Sequence, residues 1–453
     1  MSEVSAVLAG VVVPGDGGPP VHDAMILVED GRIVSVGRRT ERAVPEGAEV
    51  LDATDAWVVP GLTEGHAHVT SFASEAYHPH LEGRYRAAPL LMESFVRHGI
   101  TTIRDTGGPD LGALNRLQTH GEAWPRLFGS GPNLDGHPGG PWKGMWKTDD
   151  PAEAVEFVAR EADGGVDFIK VYAWMGEEVL AAVVRAAHRR GLRVAGHVGH
   201  RVTGRRAVEL GVDALEHVRI GPELVPESDR AEFAALPHRP RDEMASTRAW
   251  RYVDVDGPLV EQVLTLLVEH GTWLTPTLTI FDTVLRRGRD HDHDHGHGAP
   301  DPDADLRAAM ARHKDATSAM VERDPEDERL GLLEFERLLA FVGRAHEAGV
   351  PIVAGSDTPS ASVLAGAGLH DELALLVEAG LSPFEALTAA TGEPARLLGT
   401  PRRGVLRPGC PADLVVLDRD PLADVTATRA IRSVHLAGVA VHHSSTAMIE
   451  ETV

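Results

Sequence analysis

The stretch Trp57-Val58-Val59-Pro60-Gly61-Leu62-Thr63-Glu64-Gly65-His66-Ala67-His68 reads as a short apolar strand, Trp57–Val59, leading into two histidines separated by one residue. Side chains at i and i+2 of an extended chain point the same way, so His66 and His68 can reach a single ion together. A lone His-x-His is weak evidence, and it gains weight here because strands leading into polar residues recur downstream. Thr101–Arg104, Arg126–Ser130, Asp167–Tyr172, Arg193–Gly196, Ala214–Glu216, Trp273–Thr277 and Pro351–Gly355 are also strand-like. Helix-like stretches between them include Pro151–Asp163, Glu177–Arg190, Gly204–Leu210, Val260–His270 and Leu330–Ala348. The alternation is that of parallel βα units, and eight strands is the number that closes a barrel. An α/β fold, a (β/α)8 TIM-type barrel over residues 57–401, is therefore expected.

Outside that span the chain reads as β-structure. Ser5–Val13, Ala24–Val28 and Arg32–Val36 are strand-like at one end, with Asp30-Gly31 as a hairpin signal. Asp413–Leu417, Ile431–Leu436 and Val439–Val441 have the same character at the other. Termini commonly lie close together, so residues 1–56 and 402–453 are expected to form one small β-sandwich module. Two insertions, roughly 221–255 and 281–328, follow strands and should lie over the mouth of the barrel.

A length of 453 residues suits one large domain with a smaller module. The net charge of −24 excludes nucleic acid as a natural partner, because phosphates would be repelled. No run of about 18 apolar residues is present, so no membrane span is expected. Met1-Ser2-Glu3 does not begin a secretory signal, and the single cysteine, Cys410, fits a reducing cytoplasmic setting. A small molecule is the expected partner, and a homo-oligomer is compatible with the composition.

Five strands contain or lead into a potential metal ligand: His66 and His68 after the first, Lys170 within the fourth, His197 after the fifth, His217 after the sixth and Asp357 after the eighth. Each has an ordinary explanation. His217 could be a satisfied core histidine, Asp357 a helix cap, Lys170 a rim residue with its head in water. Taken together, accident would have to put all of them at the C-terminal strand ends of one barrel, where active sites of this architecture are built. Imidazoles with a carboxylate suit Zn²⁺, and also Mn²⁺, Co²⁺ or Fe²⁺. Lysine usage sharpens the case for Lys170. Of 44 basic residues only Lys143, Lys147, Lys170 and Lys314 are lysine, yet one of the four sits in an apolar strand.

These motifs resemble the amidohydrolase superfamily, near its imidazolonepropionase-like and prolidase-type branch. The resemblance runs through Pro60-Gly61-Leu62…His66-Ala67-His68, Thr101-Thr102-Ile103-Arg104-Asp105 and Gly211-Val212-Asp213-Ala214-Leu215-Glu216-His217. It continues through Gly355-Ser356-Asp357 and Ala412-Asp413-Leu414-Val415. It implies a metal-dependent hydrolase that cleaves an amide-type C–N bond with a metal-activated water. His66, His68 and Asp357 would hold one ion and His197 and His217 a second, with Asp357 also the catalytic base. Lys170 matches the position of a carboxylated lysine bridging two divalent ions, most commonly Zn²⁺. Glu64 departs from the family's usual aspartate.

The substrate is less legible. A dipeptide, an N-acyl amino acid or a cyclic amide would each suit the resemblance. His137, on the glycine-rich loop 133–140, and Tyr172, which shares parity with Lys170, are candidate substrate contacts, although solvent exposure and interior packing explain them equally. Val171-Tyr172-Ala173-Trp174-Met175 lacks the Ser-Gly-Gly of typical prolidase-like members, which leaves dipeptide specificity open. A mononuclear ring opener of the imidazolonepropionase type would leave Lys170 unmodified. A deaminase would carry glutamate three residues after His197, where this chain has His200. A non-catalytic scaffold would have lost ligands, and none is missing. The tract His291-Asp-His-Asp-His-Gly-His297 reads as a solvated loop rather than a metal site.

Overall fold

The computed structural model describes residues 4–72, 88–108, 123–140, 144–236, 247–287, 303–312, 325–360 and 363–444. The tract 291–297, Lys143, Lys314 and parts of both insertions lie outside the described residues. In chain order the described strands are β1 (Val4–Val12), β2 (Val21–Glu29), β3 (Arg32–Arg38), β4 (Glu49–Pro60), β5 (Leu62–Ala67), β6 (Ile100–Asp105), β7 (Arg126–Gly129) and β8 (Leu134–Asp135). There follow β9 (Trp146–Lys147), β10 (Phe168–Val171), β11 (Arg193–Gly196), β12 (Ala214–Glu216), β13 (Trp273–Thr275), β14 (Leu414–Leu417), β15 (Ile431–Leu436) and β16 (Val439–His443).

Both chain ends enter one seven-stranded sheet, ordered β16-β15-β14-β4-β1-β2-β3. Its register corrects one expectation. Trp57 and Val58 pair with Val11 and Val12 on one side, and Val58 and Val59 with Val416 and Val415 on the other. The trio Trp57–Val59 thus ends a twelve-residue strand of the terminal sheet, and the first strand of the parallel architecture is β5, beginning at Leu62. Three consecutive apolar residues satisfy a strand buried on both faces in either sheet, so hydrophobic pattern cannot choose between them.

The remaining strands form two parallel sheets, β5-β6-β7 and β13-β12-β11-β10-β8-β9. Every residue of β5, β6 and β10 is buried, as strands covered on both faces must be. Backbone hydrogen bonds join the sheets at both margins. Asp167 N donates to Gly129 O at 2.9 Å, tying the approach to β10 to β7. At the other margin Val353 N donates to Leu274 O at 2.9 Å, and Gly65 N to Ala354 O at 3.0 Å. The segment Pro351–Gly355, expected as the eighth strand, therefore lies between β13 and β5. It pairs through an isolated bridge at Ile352, with another at Thr358, rather than through a regular ladder. Gly65 and Gly355 permit this approach: a Cβ on Gly65 would fall 2.3 Å from Ala354 O, and one on Gly355 2.7 Å from His66 N.

Helices alternate with the strands where periodicity predicts them. Pro151–Gly164 starts on an Asp150 cap, whose carboxylate accepts from Ala152 N at 2.8 Å, and stops at Gly165 with φ +89°. Glu177–Arg189, Gly204–Glu209, Pro258–His270 and Pro325–Glu347 follow, each within a few residues of its expected bounds. Their apolar faces and the parallel strands share one large core, which places the strands' C-terminal ends on one side of it. No described helix is long and apolar enough to cross a membrane.

Candidate metal centre

The strand ends bring most of the expected ligands together. His66 Nε2 and His68 Nε2 lie 3.5 and 3.1 Å from Asp357 Oδ1, and His217 Nδ1 is 3.8 Å from Asp357 Oδ2. Rings of His66 and His217 are centred 4.5 Å apart, and those of His197 and His217 4.6 Å. Ligand atoms of His66, His217 and Asp357 all fall within 4.8 Å of one another, which is the reach of one ion. His217 thus neighbours His66 and Asp357 as well as His197, with which the resemblance pairs it.

Two of these residues hold a backbone shape that strand periodicity does not anticipate. His217 has φ +63° and Asp357 φ +60°, the left-handed region that costs a non-glycine residue about 1–3 kcal/mol. A regular strand would send the consecutive side chains of Glu216 and His217 to opposite faces. The left-handed turn at His217 swings its ring back, so that both residues contact His66.

Behind the ligands lies a buried polar layer. Glu216 Oε2 is 2.6 Å from His66 Nδ1, and its other oxygen accepts from Arg104 Nη2 at 2.8 Å. Arg104 Nη1 also donates to Gly65 O at 3.0 Å, and its guanidinium lies 4.5 Å from the Phe168 ring centre. Glu64 accepts from His66 N at 3.0 Å, from Ser356 N at 2.9 Å and from Ser356 Oγ at 2.7 Å. It therefore fastens together the segments that carry His66 and Asp357. Thr277 Oγ1 sits 2.9 Å from His217 Nδ1. Sequence reasoning missed Glu216 and Arg104 as site residues. A charged residue in each of two fully buried strands was the available signal.

Electrostatics favour a cation in the midst of this layer. Burial pushes His66 down to about 4 and holds His197 and His217 well below the usual histidine range, so all three rings are neutral near pH 7. Burial also lowers Lys170 to about 8. Burial alone would raise Asp357 and Glu216, but the histidines facing Asp357, with a hydrogen bond from His68, and the Arg104 and Lys170 charges beside Glu216 outweigh it, so both stay ionised. His66 Nε2, both ring nitrogens of His197 and Lys170 Nζ are buried without a hydrogen-bond partner among the described residues. Orphaned buried polar atoms are rare, and this many around one point form a donor set that fits divalent metal.

The substrate candidates separate. Tyr172 is buried and stacks on His197, with centroids 4.1 Å apart and planes 14° from parallel, so it packs against the ring of an expected ligand. His137 is exposed, and its backbone N–H reaches Asp149 Oδ1 at 3.4 Å. That loop is anchored from below by buried Asp135, which accepts from Gly136 N, Gly140 N and Trp174 N at 2.8–2.9 Å.

Residues 57–441 match the amidohydrolase family, and the chain belongs to it. The ochratoxinase of Aspergillus niger is 25% identical over 94% of this chain and 83% of its own. The imidazolonepropionase of Ralstonia nicotianae is 26% identical, covering 92% of each. Among solved structures, a putative prolidase from Bifidobacterium longum superposes with a TM-score of 0.69 at 24% identity, covering 97% of this chain and 94% of that one. The fold is a TIM-barrel-like α/β architecture, and the protein is a hydrolase of carbon–nitrogen bonds.

Proposed function

We propose that the protein hydrolyses an amide-type C–N bond in a small molecule, a dipeptide, an N-acyl amino acid or a cyclic amide, with two divalent ions held at the strand ends. The observation that carries this reading is the set of buried ligand atoms on His66, His197 and Lys170 that have no hydrogen-bond partner among the described residues, around the His66–His217–Asp357 group. His66, His68 and Asp357 would hold one ion, and His197 and His217 the other, Zn²⁺ suiting these nitrogen and oxygen donors, with a carboxylated Lys170 shared between them. Bound there, such ions supply Lewis acidity, polarising the carbonyl and making water more acidic.

The chain's own groups do the rest. Asp357, ionised and with Oδ1 3.1 Å from His68 Nε2, accepts the proton of the attacking water and passes it to the departing amine. Lys170, held at about 8 by burial, has an appreciable neutral fraction that can add CO₂; a permanent ammonium would repel the cations. Ochratoxinase, imidazolonepropionase and prolidase among the relatives support the range of substrates without choosing among them. Tyr172, stacked on His197, serves the ligand more directly than the substrate, and His137 is the candidate contact at the mouth.

The same reading takes the parallel strands as a closed eight-stranded barrel, supported by the hydrogen bonds at both sheet margins. It takes the terminal strands as a sandwich-type module whose boundary falls at Pro60, near the 1–56 and 402–453 division. A cytosolic setting suits the single cysteine. Elemental analysis of active protein tests the core of the proposal. Two divalent ions per chain, and loss of dipeptide or N-acyl amino acid hydrolysis on chelation, are expected. One ion in fully active protein would favour the mononuclear ring opener instead.

A further inference from the structure

We infer that Glu216 and Arg104 are positioning residues that lock His66 in the tautomer with its proton on Nδ1, leaving Nε2 as the metal-facing atom. The inference rests on the metal-dependent reading above and adds two residues to its machinery. An imidazole is ambiguous, since either nitrogen can carry the proton, and only the bare one can ligate. His66 Nδ1 has a carboxylate oxygen at 2.6 Å, and a carboxylate only accepts. Nε2 of the same ring is buried and makes no hydrogen bond among the described residues, its carboxylate neighbour Asp357 Oδ1 lying farther off at 3.5 Å. The proton therefore belongs on Nδ1.

Arg104 makes the arrangement unambiguous. Its guanidinium only donates, and it binds the far oxygen of Glu216 while also holding Gly65 O, the carbonyl just before His66. The circuit from β5 through β6 and β12 back to β5 thus fixes ring orientation, proton position and backbone approach together. Arg104, Glu216 and His66 are buried, which limits competition from bulk water for these hydrogen bonds. His197, by contrast, has neither ring nitrogen engaged.

The circuit predicts a result that mere structural support does not. In Glu216→Gln, Arg104 still demands an acceptor, so the amide must turn its oxygen to Arg104 and its NH₂ to His66 Nδ1. His66 must then accept there and carry its proton on Nε2, where it blocks the metal. Metal affinity, measured by competition with a chelating dye, should fall roughly 10–100-fold. Histidine ¹⁵N NMR of chelated protein should show His66 switched to the Nε2–H form. Adding Arg104→Met frees the amide to rotate, so the double variant should regain Nδ1–H and much of the affinity. Should Glu216→Gln fail to fold, the charge-free pair Arg104→Met with Glu216→Leu carries the test, with the Nδ1–H preference lost and affinity down at least about tenfold. An unchanged tautomer with affinity within about twofold in either route would overturn the inference. Wild-type protein that binds no metal would instead sink the proposed function, while the tautomer comparison would still judge this one.

Discussion

His66 and His197 are both buried imidazoles at strand ends, yet they are held differently. His66 has Glu216 behind its ring, Glu64 on its backbone N–H and Arg104 on the far oxygen of Glu216. His197 has no hydrogen-bond partner on either nitrogen among the described residues and leans on Tyr172 through a stacked face. The first side is organised before any ion arrives. The second would acquire its orientation largely from the ion, so it should lose that ion first.

The largest effect tests this asymmetry directly. His66→Ala should remove the bound metal and lower turnover by about 10²–10⁴-fold or more, since the site loses its best-anchored ligand. His197→Ala should release one ion and keep the other. Elemental analysis alongside turnover decides, and full activity in His66→Ala would refute the assignment.

Lys170 comes next. Lys170→Arg should not rescue what Lys170→Ala loses, because guanidinium stays cationic and cannot take up CO₂. With the amine held at about 8, its neutral fraction grows as pH rises through that value. With dissolved CO₂ held constant, reactivation of chelated enzyme by metal should accordingly be several-fold faster at about pH 9 than at about pH 7. A fully active Lys170→Arg variant would remove the carboxylated lysine from the proposal.

Smaller still is the response of metal-free protein to acid. His66 titrates at about 4 when folded, against roughly 6.5 unfolded, so the unfolded chain binds more protons between those values. Stability should be intact above pH 6.5 and fall as pH drops toward 4, with His66 alone contributing about 3 kcal/mol. Urea melts across that window check it, and a flat profile would contradict the burial argument. The smallest expected effect is that of deleting residues 291–297. It should leave metal content unchanged and shift stability by less than about 0.5 kcal/mol. Loss of catalytic metal would show that the tract supplies ligands.

Much of this centre was readable from the chain. Alternating strands and helices gave six of the eight expected parallel strands nearly to the residue, and strand-end placement picked out His66, Lys170, His217 and Asp357. The misreadings share a cause. Trp57–Val59 has no polar alternation to reveal its sheet, and pairing with Val11, Val12 and Val416 assigned it to the terminal one. Pro351–Gly355 was placed correctly between its neighbours but not as a regular ladder, because two segments approach across Gly65 and Gly355.

The kinds of ligand, and their gathering at one end of parallel strands, were determined by the sequence, because each βα unit returns the chain in the same direction and brings strand ends to one face. Only the tertiary structure decided how they are aimed. Strand periodicity puts Glu216 and His217 on opposite faces, and left-handed backbone at His217 brings both to His66. Whether Arg104 would reach Glu216 depended on the packing of β6 against strands more than a hundred residues away. Local sequence sets a side chain's chemistry and its distance along the strand; register, φ and long-range burial set its direction, and in a metal centre direction selects the atom that binds.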